Sequence, residues 1–170
     1  MSSGDPPMQF PGDESAPGPD LVVEDPTWSA VVDDIDELVS TVFLATITAE
    51  PKTNGSFSVL LADDSRVSAL NAEFRGKPSP TNVLSFPSGF SAPNFIGDLA
   101  LARETCEREA IEQGKQVRDH VAHLLVHGLL HLIGYDHLSE DEALAMEQLE
   151  IRILDQLGIA NPYEQSSSLD

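Results

Sequence analysis

Apolar residues recur at helical spacing over the first third of the chain. Seven of them lie between positions 31 and 43, namely Val31, Val32, Ile35, Leu38, Val39, Val42 and Phe43. The pattern predicts a helix that runs to about Leu44. Asp25 and Pro26 suit its beginning as an N-cap and a first helical residue. The short run Leu21–Glu24 before it is typical of a strand.

Alternation, capping residues and breakers predict the remaining elements. Further strands are expected at Ser56–Ala62, at Asn82–Phe86 with Pro87 ending it, and at Phe95–Leu101. Further helices are expected after a cap at Asp64 or Ser65, at Arg103–Gln113, at Lys115–Ile133, and from Ser139 with Glu142 in a capping box. Glycine and two prolines make Arg75–Pro80 a loop. Strands and helices mix without regular βαβ alternation, so the predicted class is α+β, a small mixed β-sheet packed with helices.

Composition divides the 170 residues into one domain and two tails. Residues 1–20 carry five prolines, three glycines and no lysine or arginine. Such a segment buries too little apolar surface to offset its ordering entropy, and we predict a disordered acidic tail. The prediction continues with a single folded domain at 21–160 and a flexible C-terminal tail at 161–170.

The charge balance limits the partners of the protein. Nine basic residues against 29 acidic ones give a net charge of −20. This argues against non-specific capture of nucleic acid or of anionic membranes, although Arg66, Arg75 and Lys77 could form a local basic cleft. The apolar stretches are too short to span a bilayer, and no signal-peptide pattern is found. A single cysteine, Cys106, rules out a disulfide framework, so we expect a cytoplasmic protein without a membrane partner.

All five histidines fall between positions 120 and 137. On one helix, His127 and His131 lie four residues apart on the same face, where both imidazoles can reach one cation. Gly134 permits a turn that brings His137 back as a third ligand. Three nitrogen ligands and one open position are typical of catalytic zinc, so we predict one Zn²⁺ ion on a zincin-like long helix.

The histidine pattern leaves two points open. His123 and His127 also stand four residues apart, although the glycine turn favours the later pair. His120 and His123 could pack, face solvent or support the ligands. Metzincin proteases share the spacing, but they need a glutamate where this chain has Gly128, and its absence argues against peptide hydrolysis.

The segment His127–His137 resembles the H-G-x-L-H-L-x-G-Y-D-H signature of the YbeY family of bacterial endoribonucleases. A second block, from Leu70-Asn71 through Phe74-Arg75-Gly76-Lys77 to Pro80–Pro87, resembles the family's L-N, [YF]-R-G-K and P-T-[DN]-V-L-S-F-P pattern. Ile96–Leu99 is similar to its G-D strand, and the resemblance runs from about Leu21 to Gly158.

The resemblance implies a single-strand-specific endoribonuclease of ribosomal RNA maturation, acting near the 3′ end of the small-subunit RNA and in ribosome quality control. It implies precursor RNA, the small subunit and assembly proteins as partners. It places the metal on His127, His131 and His137, and the catalytic arginine on Arg75. A guanidinium fits this role, because it forks onto phosphate oxygens with two hydrogen bonds.

Weaker predictions concern the surroundings of this site. Lys77, Asn82 and Ser85 are expected to bind substrate, with Thr81 beside them, although turn and strand chemistry would explain the same residues. Asp98 and Asp136 could orient a ligand or serve only the local backbone. Two other functions remain open, another zinc hydrolase such as a peptidase and a non-catalytic ribosome-assembly factor with a structural metal. The attacking nucleophile and the general base are unassigned.

Overall fold

A computed structural model describes residues 17–89, 94–136 and 138–163. In this part of the chain, helices and strands mix in an irregular order. The strands are β1 Gly18–Val23, β2 Ser56–Ala62, β3 Val83–Pro87 and β4 Phe95–Ala102. The helices are α1 Trp28–Val31, α2 Ile35–Ala49, α3 Asp64–Arg75, α4 Arg103–Glu112, α5 Val117–Leu132 and α6 Glu140–Gln156, with a 3-10 turn at Pro51–Thr53.

The strands form one mixed sheet in the order β1-β2-β4-β3. The β1–β2 and β2–β4 pairs are parallel, whereas β3 runs antiparallel to β4. Val59 lies opposite Leu99 across the central pair, and Leu101 lies opposite Val83 at the edge. The predicted α+β class with a small mixed sheet is therefore confirmed.

The two faces of the sheet bury different clusters. One face places Phe57, Val59 and Leu99 in a large core with side chains of α2, α5 and α6. The other face buries Ala62, Leu84 and Ala100 against α3 in a smaller cluster. Alternate residues of β2 and β4 point to opposite faces, and both faces are packed, which explains why the second halves of these strands, Val59–Ala62 and Leu99–Ala102, are wholly apolar. The arrangement seats α5 directly on β3 and β4.

The first predicted helix is wrong as a single element. It is split into α1 and α2 by an extended residue, Val32, and α2 continues beyond Leu44 to Ala49. Tertiary contacts account for the break. The Trp28 indole donates to the carbonyl of Ala62 at 2.8 Å, and Arg118 forks onto Asp34 at the start of α2.

The predicted loop at 75–80 begins one residue too early, because Arg75 is the last residue of α3. Gly76 has a φ of +70° and its N–H bonds to the carbonyl of Ala72, so helical hydrogen bonding extends through Arg75. Glycine adopts this left-handed conformation without steric cost. The helix is capped by Asp63, whose side chain accepts from the N–H of Arg66, and not by Asp64 or Ser65.

Most other predicted elements lie within two residues of the observed ones. Strand β2 matches its prediction, and the Ser139 side chain caps α6 by accepting from the N–H of Glu142. Strand β3 keeps Pro87 as its last residue. Strand β1 begins at Gly18, so its first three residues fall within the segment predicted as a tail. Residues 1–16 and 164–170 lie outside the described part, and the division into tails and one domain stays a prediction.

Gly97 sits where β4 passes under α5, and we expect its replacement by alanine to destabilise the fold. Its φ is +145°, and an added Cβ would lie 2.5 Å from the Phe86 carbonyl oxygen and 2.7 Å from Leu132 Cδ2. Backbone strain and overpacking together should lower the free energy of unfolding by about 2–4 kcal/mol, as measured by urea titration.

Gly114 provides the matched control for this substitution. It also has a positive φ, +68°, but an added Cβ would find nothing within 4 Å. Gly114→Ala should therefore cost only the backbone strain, about 1–2 kcal/mol. Equal losses of stability in both variants would show that the close approach of β4 to α5 does not add to the cost of replacing Gly97.

Candidate active site

Two histidines of α5 direct their rings at one point. His127 and His131 are four residues apart, their ring centroids lie 4.5 Å apart, and their Nε2 atoms are separated by 3.1 Å. Two nitrogens bound tetrahedrally to one zinc ion, each at about 2.0–2.1 Å, stand about 3.3 Å apart. The donor pair therefore fits a shared cation. Had the two rings pointed in different directions, they could not have bound the same ion.

The described residues supply only part of the predicted ligand set. His137, the third predicted ligand, lies outside them. Within residues 17–89, 94–136 and 138–163, no group of three His, Cys, Asp or Glu side chains is placed to hold a metal. The pair of convergent imidazoles is consistent with the predicted metal centre, which stays a prediction.

A buried carboxylate on α6 fixes the orientation of His127. Glu150 is 0% exposed, and its Oε2 accepts from His127 Nδ1 at 2.6 Å. Burial opposes ionisation of Glu150, but hydrogen bonds from His123, His127 and Tyr163 outweigh it and lower its pKa to about 2. An ionised Glu150 only accepts hydrogen bonds, so His127 carries its proton on Nδ1 and presents the Nε2 lone pair to the cleft.

His123 faces the same carboxylate rather than the His127–His131 pair. Its Nε2 lies 3.0 Å from Glu150 Oε1 and 3.2 Å from the Tyr163 hydroxyl, which also donates to Glu150. This nitrogen must carry a proton to donate to Glu150, so it has no lone pair for a metal. The arrangement favours support of the site over ligation for His123.

His120 is held by a second acidic residue. The ring is 3% exposed, and its Nε2 lies 2.8 Å from Glu109 Oε1. The same oxygen accepts from Asn82 Nδ2 at 3.0 Å. Burial lowers the pKa of His120, although the hydrogen bond to Glu109 opposes this. His120 therefore connects α5 to Glu109 of α4, which in turn holds Asn82 just before β3.

A cleft of about 530 Å³ joins most of the predicted site residues. Its walls carry the His127–His131 pair together with Arg75, Thr81, Asn82, Ser85 and Asp136. Lys77 is not among the lining residues of this cleft. Asp98 also lies apart from it, on β4, where its carboxylate accepts from the Ser58 hydroxyl. The Asn82 amide is held by Glu109 and by the N–H of Val83, which limits its freedom to bind substrate.

Arg75 reaches the cleft from the end of α3. Its Nη2 donates to the Ser85 carbonyl at 2.5 Å, and its Cζ lies 5.4 Å from the centroid of the Phe86 ring. Ser85 and Phe86 are adjacent on β3, so one strand holds the guanidinium by a hydrogen bond and a cation–π contact. Within the described residues, Arg75 and Lys77 form no ion pair, whereas Arg66 pairs with Glu24 at 3.2 Å. Arg66 thus contributes less to a basic cleft than its charge suggested.

Gly128 occupies the position at which metzincin proteases carry glutamate. An added Cβ would lie 2.8 Å from Leu99 Cδ2 and 3.4 Å from Ser85 Oγ. The buried Leu99 side chain would therefore have to shift before position 128 could carry any side chain. This packing gives the missing glutamate a structural cause.

Glu150, Glu109 and Tyr163 are the site-supporting residues that the sequence analysis missed. Glu150 stood out in principle, because it lies on the buried face of α6 with Met146 and Leu149. An acidic residue on an apolar helix face is rare unless it is paired.

The sequence profile of endoribonuclease YbeY matches residues 23–158. The chain belongs to the endoribonuclease YbeY family. Endoribonuclease YbeY of Ruegeria pomeroyi is 47% identical over 85% of this chain and 96% of its own length. Endoribonuclease YbeY of Dinoroseobacter shibae is 43% identical over 91% of this chain and 94% of its own length.

A solved structure agrees on the fold. The solution structure of a Thermotoga maritima protein superposes with a TM-score of 0.56 at 20% identity, covering 89% of this chain and 93% of that one. The YbeY family, the fold class and the class of enzyme, an endoribonuclease, are thus confirmed, with RNA as the substrate class. None of the helices in the described residues is long and apolar enough to cross a membrane. The individual site residues stay predictions.

Proposed function

We propose that this protein is a zinc-dependent, single-strand-specific endoribonuclease of ribosomal RNA maturation. Its substrate would be precursor RNA near the 3′ end of the small-subunit rRNA, in the cytoplasm. The small subunit and its assembly proteins would be its partners, with a role in ribosome quality control. The observation that carries the proposal is the convergence of the His127 and His131 Nε2 atoms, 3.1 Å apart, in one cleft with Arg75.

The metal would be held by His127, His131 and His137. Zinc there would supply Lewis acidity toward a phosphoryl oxygen and make a water molecule more acidic. The chain itself prepares this donor set, because Glu150 fixes the protonation of His127 from the buried side. The open side of the His127–His131 pair faces the cleft, which leaves room for substrate.

Arg75 would stabilise the transition state of phosphodiester cleavage. Negative charge builds up on the non-bridging oxygens, and a guanidinium matches two of them at once. The Ser85 carbonyl and the Phe86 ring hold this guanidinium in place before substrate arrives, which reduces the reorganisation needed during the reaction. Thr81, Asn82 and Ser85 would contact the neighbouring RNA from the same wall, and Lys77 would attract a phosphate from outside the cleft.

The deciding experiment compares substrates. Zinc-loaded protein is incubated with a labelled single-stranded RNA, the same RNA as a duplex, and a peptide. We expect the wild type to cleave only the single-stranded RNA. The cleavage rate should fall at least 100-fold in His131→Ala and stay unchanged when residues 1–16 are deleted.

Each alternative predicts a different result in this assay. Peptide cleavage would indicate a zinc peptidase. Bound zinc without cleavage of any RNA would indicate a non-catalytic assembly factor. RNA cleavage that survives both His131→Ala and removal of zinc would contradict the proposed metal centre.

A further inference from the structure

An exposed aromatic residue stands next to Arg75. Phe74 is 61% exposed in the last turn of α3. Its ring packs against Phe86 of β3 in a T-shaped arrangement, with ring centroids 5.5 Å apart and an interplanar angle of 63°. The Phe86 ring also lies against the Arg75 guanidinium, whose Cζ is 5.4 Å from the ring centroid. Phe74, Phe86 and Arg75 form what we call the aromatic–arginine cluster.

This cluster adjoins the cleft through Arg75, since Phe74 and Phe86 are not among the residues that line it. Arg75 lines the cleft with His127 and His131, and Phe74 precedes it directly in the chain. Single exposed apolar residues are common and need no explanation by themselves. Phe74 differs because it packs against the same ring that holds Arg75, while most of its surface stays open to solvent.

The charge of the protein makes such a surface useful. With a net charge of −20, the protein repels a polyanion at long range. Four of the nine basic residues, Arg66, Arg103, Arg108 and Arg118, pair with carboxylates, which reduces the positive charge available to phosphates. Stacking of a base on an aromatic ring supplies affinity that does not depend on charge. An acidic RNA-binding protein therefore needs stacking more than a basic one does.

We propose that Phe74 is a stacking surface for one nucleobase of the single-stranded substrate, next to the phosphate that Arg75 contacts. The inference rests on the proposed function and names the residue that binds a base there. It also gives single-strand preference a physical cause. Bases in a duplex stack on each other, whereas an unpaired base can turn out and cover the Phe74 ring.

The test uses the zinc-loaded protein and a single-stranded RNA carrying 2-aminopurine at successive positions. Stopped-flow mixing reads binding before cleavage, and stacking on an aromatic ring quenches 2-aminopurine fluorescence. Phe74→Leu, which keeps an apolar side chain against Phe86, should weaken binding about 5- to 100-fold and abolish the quench at one position. Phe74→Trp should retain both.

Two controls make the result specific. Ile111→Ala removes another exposed apolar side chain, 77% exposed on α4, and should change nothing. An RNA that lacks the base at the quenched position should bind the wild type more weakly than the intact RNA does. Phe74→Leu should bind both RNAs equally, because its stacking contact is already lost. Equal binding by Phe74→Leu and the wild type, or equal loss in Phe74→Trp and Phe74→Leu, overturns the stacking role. Failure of the wild type to bind or cleave any RNA would instead refute the proposed function itself.

Discussion

Glu150→Gln is expected to lower zinc affinity about 10- to 100-fold, the usual effect of losing the acceptor behind a metal-binding histidine. An amide has one oxygen where Glu150 uses two, so it cannot accept from both His127 and His123. One ring would face an N–H instead of an oxygen. The buried donor that loses its partner should also lower the free energy of unfolding by about 1–3 kcal/mol.

Three measurements test the effect of Glu150→Gln. Chelator competition gives the zinc affinity, urea titration gives the stability, and ring ¹⁵N chemical shifts give the tautomer of His127. Glu112→Gln makes the same chemical change at an exposed position of α4 and should alter none of them. An unchanged His127 tautomer together with unchanged zinc affinity would exclude the role assigned to Glu150.

Arg75→Ala should reduce RNA cleavage about 100- to 1000-fold, as the loss of a preorganised charge-stabilising group does in other enzymes. Arg75→Lys should recover little of this activity, since an ammonium cannot fork onto two phosphate oxygens. Bound zinc should remain at the wild-type level in both variants, because the Arg75 guanidinium is held by Ser85 and Phe86 of β3.

Single-turnover cleavage and metal analysis on the same samples check this expectation. Arg108→Ala serves as the control, since this exposed arginine of α4 lies 3.8 Å from Asp64 and is not among the residues that line the cleft. If Arg75→Ala loses zinc in proportion to activity, Arg75 has a structural role in the site.

Elements whose signals lie within their own segment were predicted well. Ser139 caps α6, as its spacing with Glu142 predicted. Strand β2 matches its prediction because the alternating residues that indicate it all lie within the segment itself. The break between α1 and α2 could not be predicted in the same way. It depends on Ala62 and Arg118, which lie 34 and 84 residues away from Trp28 and Asp34.

The same distinction applies to the site. His127 and His131 stand four residues apart on one helix, so the geometry of that helix was enough to predict that they converge. The Arg75 side chain reaches their cleft only through the pairing of β3 with β4, and the family resemblance, not the spacing, indicated it. Glu150 lies 23 residues after His127 on another helix, and nothing in the sequence near the histidines points to it.

Because of the tight contact at Gly128, this protein differs from the metzincins by more than the residue at position 128. A change of this glycine to glutamate would restore the proteolytic motif in sequence, yet the new side chain would start 2.8 Å from Leu99 Cδ2. Leu99 is 1% exposed, so its side chain has little room to move aside. Conversion between the two chemistries thus calls for a compensating change in the core, such as a smaller side chain at position 99, and selection acting on codon 128 alone would encounter a destabilised intermediate.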